Sequence, residues 1–183
     1  ALALLTRIEK QLEAHPDPTA RYRLLQQRSS AYLQLRRPED AREQALKALD
    51  HNPTGMHALI VAAFAALDLG EEDNAMRFAE RATVAAPDDS YAWASLVQVC
   101  FVTDREAPPV PPRVQETVEY RMGLIQVLLN RGRVEDACAL IDGLLAEGQR
   151  TADLLVFKAQ TLMTTAHQDV GIQSPEIAEQ IER

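Results

Sequence analysis

Histidine, cysteine and acidic side chains are the residues of this sequence that could bind a metal or carry out catalysis. The four histidines, at His15, His51, His57 and His167, lie in different segments of the chain. None of them has a cysteine or carboxylate partner at the spacing of metal ligands. His15 and His51 stand near prolines, at places where we expect helices to end. We therefore predict no metal site and no cofactor.

The cysteines and carboxylates also favour structural roles over catalytic ones. Cys100 and Cys138 have no metal or redox spacing, and both lie in stretches rich in alanine, valine and leucine. We expect small core residues there, and a disulfide is the alternative. The acids of residues 71–73 stand at a predicted helix start, where negative charge stabilises the helix dipole. No Gly-rich phosphate loop, Ser-His-Asp order or Cys-His pairing is present, so we predict no enzymatic activity.

Composition places the sequence among soluble helical proteins. Of its 183 residues, 46% are hydrophobic, 25% are charged and only seven are glycine, and runs of β-branched residues are missing. The net charge of −8 repels the phosphates of a nucleic acid, so we expect no nucleic-acid partner. No apolar run reaches the roughly 18 residues of a membrane span, so we expect no membrane insertion. Cytoplasm and periplasm both remain open as compartments.

Residues 56–87 have the pattern of two antiparallel helices, around which the rest of the chain is organised. Gly70 interrupts the apolar spacing at the middle of the segment, and Pro87 ends it. The first half carries an apolar stripe at helical spacing: Leu59, Ala62, Ala63, Ala66 and Leu69. The second half carries small residues on one face: Ala75, Ala79 and Ala82. Because no long side chain separates the backbones along that face, we expect a close contact between the paired helices.

The same pattern returns 34 residues earlier, over residues 22–53. The small residues and the final proline coincide at this offset: Ala41, Ala45, Ala48 and Pro53. A 34-residue period with this ending resembles the tetratricopeptide repeat. The resemblance implies an all-α fold in which antiparallel helix pairs stack as a right-handed superhelix, a solenoid of the tetratricopeptide type.

On this pattern the chain divides into four segments. Residues 1–19 form an N-terminal helix, which is either the second half of a truncated repeat or a cap. Residues 20–103 hold three repeats, and the third is incomplete, with Trp93 in the slot that Leu59 occupies. Residues 104–112 are a proline-rich loop, which is an ordered cover, a flexible linker or a ligand for a proline-binding domain. Residues 113–183 contain a long helix over 113–130, further degenerate repeats and a C-terminal capping helix.

The resemblance implies that the first helix of each repeat lines a concave groove. The side chains facing it would be Arg23, Gln26, Ser30 and Leu33, then His57, Ile60, Phe64 and Leu67, then Tyr91, Ala94, Gln98 and Phe101. These positions fall between the packing positions, so they need not belong to the core. Their apolar and aromatic members form a stripe typical of a groove that binds a peptide or helix. The alternative is that the N-terminal helix, the proline loop or another repeat fills the groove.

Chaperone-binding members of this family hold a terminal carboxylate with Lys, Asn and Arg side chains. The corresponding places here hold Gln26, Ser30, Val61, Tyr91 and Ser95. Chaperone C-terminal tails are therefore not expected partners. The sequence favours a protein-binding adaptor of a bacterial assembly or secretion system. The alternatives are a scaffold subunit that uses its outer faces and ends, and a regulatory segment of a larger enzyme.

Overall fold

The structure is a computed structural model that describes residues 17–163, together with Arg7. The predicted N-terminal helix up to residue 16 and the predicted C-terminal cap lie outside these described residues, apart from Arg7. Within residues 17–163 every regular element is a helix. The helices are α1 (Pro18–Gln34), α2 (Pro38–His51), α3 (Met56–Asp68), α4 (Glu72–Ala85), α5 (Ser90–Val102), α6 (Pro112–Gln115), α7 (Val118–Asn130), α8 (Val134–Ala146) and α9 (residues 152–163).

The chain divides into two compact units, Ala1–Gln115 and Glu116–Arg183. In the first unit, α1 pairs with α2 and α3 pairs with α4, while α5 packs on both α3 and α4. The first helices α1, α3 and α5 also touch one another in succession. Among the described helices, the backbones of the second helices α2 and α4 are further apart, with no Cα atoms within 8 Å of each other. Because the first helices are closer together than the second helices, the stack of the first unit is concave on the first-helix side.

The alanine faces of α2 and α4 are fully buried, as the repeat pattern predicts. Their members have no exposed surface: Ala41, Ala45, Ala48, Ala75, Ala79 and Ala82. Facing them are α3 residues that are equally small, among them Ala62 and Ala65 in the cluster that holds Ala41 and Ala45. Small side chains on both sides let the helix backbones approach closely, which sets the spacing of the whole stack.

The turn between paired helices repeats with the same 34-residue period. Arg36, Gly70 and Asp104 each have a positive φ, of 57°, 74° and 54°. In each turn the next residue donates its backbone N–H to a carbonyl five residues back, which closes the end of the first helix. These bonds are Arg37 N to Tyr32 O at 3.0 Å, Glu71 N to Ala66 O at 2.8 Å, and Arg105 N to Cys100 O at 2.9 Å. The third repeat thus makes the turn although no second helix follows it.

The proline-rich loop packs onto the first unit in place of that second helix. Ala107 lies against the core cluster that includes Leu96 and Cys100. Val114, on the short helix α6, is buried, and the neighbouring Arg113 pairs with Asp88. The segment therefore contacts the core of the first unit through Ala107.

The predicted single helix over residues 113–130 is wrong. The structure has the one-turn helix α6, a break, and then α7 starting at Val118. Thr117 makes the break, because its side chain accepts the backbone N–H of Tyr120 at 3.3 Å as an N-cap.

The second unit is built from α7, α8 and α9. Its core holds Ile125, Leu128, Ala137, Ile141, Leu144 and Leu154. Thr151 caps α9 by accepting the N–H of Leu154 at 3.2 Å. Since Thr117 and Thr151 are 34 residues apart, the repeat period continues in this unit through its helix starts. The alanine signature is lost there, and Ile141 and Leu144 replace two of the alanines.

Candidate functional site

The candidate site is the concave side of the first unit, lined by α1, α3 and α5. One exposed residue stands at the same repeat position on each helix: Arg23, His57 and Tyr91. The ring centroids of His57 and Tyr91 lie 5.8 Å apart, and the ring planes are tilted by 44°, so the structure brings these two side chains together. Tyr91 is half-exposed, and partial burial of its side chain raises the pKa of its hydroxyl, which stays a neutral hydrogen-bond donor near pH 7.

Local features at the helix starts place these side chains. Asp89 caps α5 by accepting the N–H of Ala92 at 2.9 Å, which fixes the first turn that carries Tyr91. Gly55 precedes α3, and the Tyr22 side chain of α1 occupies the space that a Cβ at this position would need. The start of α3, which carries His57, is thereby held close to α1.

The middle of the groove is half-buried and mainly polar. Gln26, Ser30 and Gln98 are each partly exposed. The Ser30 hydroxyl donates to the backbone carbonyl of Gln26 at 3.2 Å, so it is oriented by its own helix. The amides of Gln26 and Gln98 have both donors and acceptors that suit the backbone of an extended peptide.

Two of the expected groove positions, Ile60 and Ala94, lie in the core instead of lining the groove. Ile60 is only 1% exposed and belongs to the core cluster that holds Leu25 of α1 and Ala92 of α5. It lies on the middle helix, so neighbours on both sides cover it. Ala94 is buried as well. Phe64 is half-buried and packs against two core clusters, so the expected apolar stripe is interrupted at its centre.

The edge of the groove at the other end of these helices is apolar. It consists of Leu33, Leu67 and Phe101, which are all half-buried. Leu33 and Leu67 also pack against core clusters of the first unit. The groove therefore has a polar and aromatic edge, a middle in which the half-buried Phe64 lies among polar side chains, and an apolar edge.

Two features of this region were missed at the level of sequence. The Ser95 side chain on α5 is 2% exposed, and its hydroxyl has no hydrogen-bond partner within the described structure. Its counterpart one repeat earlier is the apolar Val61, so the repeat pattern gave no signal of a buried polar group. The second feature consists of two ion pairs that connect successive repeats.

Each of these ion pairs joins the turn of one repeat to the second helix of the repeat before it. Arg42 of α2 pairs with Glu71, and Arg105 pairs with Asp73 at the start of α4. The hydrogen bond from Arg42, followed by one from Asn74, lowers the pKa of Glu71, and Arg105 does the same for Asp73. They span 29 and 32 residues of sequence, a distance at which no local pattern predicts pairing.

The residues that could do chemistry are dispersed in the fold. Cys100 is buried beside Met76, with sulfur atoms 3.9 Å apart, while Cys138 is half-buried, and both are free thiols. His51 ends α2, and His15 and His167 lie outside the described residues. Over residues 17–163 no three metal-binding side chains come together, and none of the described helices is long and apolar enough to cross a membrane.

Comparison with known proteins agrees with the helical-repeat architecture. No family model matches the sequence, and no curated protein does. Among solved structures, the chain is similar to a thermophilic TPR protein from Thermus thermophilus, at 22% identity and a TM-score of 0.66. The similarity covers 87% of this chain and 89% of that one. TPR stands for tetratricopeptide repeat, and the likeness shows the same fold.

Proposed function

We propose that this chain, which has the tetratricopeptide-repeat fold, is a protein-interaction module whose concave groove binds a peptide segment of a partner protein. The observation that carries the proposal is the repeated placement of Arg23, His57 and Tyr91, exposed on three adjacent helices. Exposed side chains in register on packed helices form a continuous row that a linear ligand can follow.

The size of the groove suits a short extended segment. Packed helices lie about 8–10 Å apart, so the outer two axes of three neighbouring helices lie roughly 16–20 Å apart. An extended chain rises about 3.3 Å per residue, so roughly five to six residues of a partner would cross the three helices. We expect an affinity on the order of micromolar for such a segment, which corresponds to about −8 kcal/mol.

The two edges of the groove would read different parts of that segment. Arg23 and Tyr91 can donate hydrogen bonds at the polar edge, and Gln98 can bond the ligand backbone in the middle. Apolar side chains of the ligand would lie on Leu33 and Leu67 at the other edge.

The proposal is tested with a phage-displayed library of random eight-residue peptides, selected on the purified chain. Peptides from the selection are then titrated against Arg23→Ala, Tyr91→Ala and the matched outer control Lys47→Ala. Lys47 is exposed on α2 and, among residues 17–163, forms its ion pair with Glu43 of its own helix, at 2.6 Å. We expect each groove variant to weaken binding about tenfold, and the control to have no effect. Equal binding by all variants would contradict the groove assignment.

The two variants at the polar and aromatic edge are preferable to variants of Phe64. Because Phe64 packs against two core clusters, its replacement would also lower stability and so confuse loss of fold with loss of contact. Tyr91 is 49% exposed, so its truncation mainly removes the surface that a ligand would touch.

A scaffold role is the second candidate, and the second unit supplies the observation that favours it. Leu155 and Val156 on α9 are both exposed apolar residues. Neighbouring apolar residues on one surface helix are typical of a protein contact. A scaffold would lose its assembly with Leu155→Asp and keep it with Tyr91→Ala, whereas a groove adaptor would show the reverse in the same co-purification.

A further inference from the structure

An apolar cavity of the first unit lies on the outer helix α4, away from the groove residues. Its volume is about 640 Å³, within the range of small-ligand and side-chain pockets. Pro53 and Leu59 line it from the α2–α3 link and the start of α3, and Val84 lines it from α4. Val84 is 81% exposed, which is unusual for a branched apolar side chain at the mouth of an apolar cavity.

The cavity lies between α4 and the α2–α3 link, on the side of α4 that faces the preceding repeat. Among the described helices, α4 touches only α3 and α5. The proline-rich loop follows α5, the first helix of the third repeat. Its Ala107 packs against the core cluster that includes Leu96 and Cys100. The cavity therefore does not belong to the concave groove, and no described helix covers it.

The charge at the rim of this cavity is opposite to that of the chain as a whole. Arg77 and Arg81 both line it and, over the described residues, neither forms an ion pair. Arg81 donates to the carbonyl of Pro53 at 3.1 Å and lies 5.9 Å from the ring of Phe78, and Arg77 donates to Asn74. With Glu80 as the one carboxylate among the lining residues, the rim is net positive on a chain of net charge −8.

Other arginines of the first unit show that this arrangement is not general. Arg42, Arg105 and Arg113 each pair with a carboxylate of a neighbouring segment. Arg77 and Arg81 instead donate hydrogen bonds to neutral groups. Arg77 also lies near Asp73 and, after Arg105, contributes to lowering the pKa of that carboxyl, whereas the charge of Arg81 is left available to a ligand.

We propose that this outer cavity binds a segment of a partner protein that places an apolar side chain beside a carboxylate. The apolar side chain enters between Pro53, Leu59 and Val84, and the carboxylate accepts hydrogen bonds from Arg77 or Arg81. The aliphatic stems of the two arginines extend the apolar wall, while their ends supply the charge. By electrostatic complementarity, the cavity would bind a segment of acidic and apolar residues more tightly than a segment of basic and apolar residues.

The test uses three synthetic peptides that are acetylated and amidated at their ends, Glu-Leu-Glu, Lys-Leu-Lys and Glu-Ser-Glu. Each is titrated into chain labelled at valine and alanine methyl groups, and the NMR shifts of Val84 and Ala85 are followed. We expect Glu-Leu-Glu to shift both methyl signals with saturation, and the other two peptides to bind at least about tenfold more weakly.

Two variants separate charge recognition from a change in fold. Arg77→Glu keeps the Arg81 contact to Pro53, and we expect it to weaken Glu-Leu-Glu about tenfold and to strengthen Lys-Leu-Lys. Tyr91→Ala is the groove control and should leave the Val84 titration unchanged, so failure here is distinct from failure of the groove proposal. The proposal would be overturned by equal shifts with all peptides or by no shift with Glu-Leu-Glu. Shifts that grow with protein concentration alone would also overturn it, and would assign the cavity to a second copy of the chain.

Discussion

Replacing Arg36 with glycine should stabilise the first unit. Arg36 has a φ of 57°, at the position where the next repeat has Gly70. The left-handed conformation destabilises an L-residue by about 1–2 kcal/mol, and replacement by glycine removes this strain. Glycine also raises the conformational entropy of the unfolded chain, which offsets about 0.5–1 kcal/mol of the gain. We therefore expect Arg36→Gly to raise the free energy of unfolding by about 0.5–1 kcal/mol.

The ion pair that this change removes does not alter the estimate. Arg36 lies 4.0 Å from Asp68, and its side chain is 86% exposed. An exposed pair at that distance contributes little to stability, because water and salt screen it.

The equivalent turns provide matched variants. Gly70→Ala should lower the free energy of unfolding by about 1 kcal/mol or more, because nothing lies within 4 Å of the added Cβ and the whole cost comes from the backbone. Asp104→Gly should stabilise less than Arg36→Gly, since aspartate tolerates the left-handed region better than arginine does.

Urea unfolding followed by tryptophan fluorescence measures these effects. Trp93 is the only tryptophan of the chain, and its ring nitrogen donates to the carbonyl of Pro87 at 2.8 Å inside the first unit. Its signal therefore reports on the unit that contains all three turns. A midpoint that falls or stays unchanged in Arg36→Gly, with an unchanged slope, would refute the assignment of strain to this turn.

Three further predictions use other parts of the chain. Ala79→Leu should lower the free energy of unfolding by about 1–3 kcal/mol through overpacking, and a neutral urea melt would contradict the packing face. The pKa of Glu71 is lowered from 4.5, so its ion pair with Arg42 stabilises the fold above pH 4.5, and this stabilisation is lost as pH falls through the lowered pKa. Thermal melts of Glu71→Gln should therefore show a smaller loss of stability at acid pH than melts of the unchanged chain. Gly143→Ala, on helix α8 with nothing within 4 Å of its Cβ, should stabilise by up to about 1 kcal/mol by circular dichroism, opposite in sign to Gly70→Ala.

Patterns that repeat along the chain were predictable from the sequence. The buried faces around Ala45 and Ala79 follow from small residues at helical spacing, and the turn at Gly70 follows from a glycine between two apolar stripes. The turns at Arg36 and Asp104 carry no glycine, so only the period indicates them. Local spacing decides which face of a helix is apolar, and that is enough to pair neighbouring helices.

The candidate groove was predicted less completely. Its exposed positions at His57 and Tyr91 follow from the repeat register, and their ring contact does not. Ile60 shows why, since its place between packing positions suggests exposure while its neighbours on α1 and α5 cover it. The degree of burial at such a position depends on side chains a full repeat away on either side.

The sequence by itself determined that this protein is a stack of helix pairs with a 34-residue period, because small residues and turns recur at fixed local intervals. Only the tertiary structure decided which polar groups find partners. Arg42 forms an ion pair with Glu71 of the next repeat, whereas Arg77 and Arg81, on the outer side of α4, donate hydrogen bonds to the neutral groups of Asn74 and Pro53. Charges interact through space over several ångströms, so their partners are chosen by the stacking of whole repeats and cannot be read from neighbours in the chain.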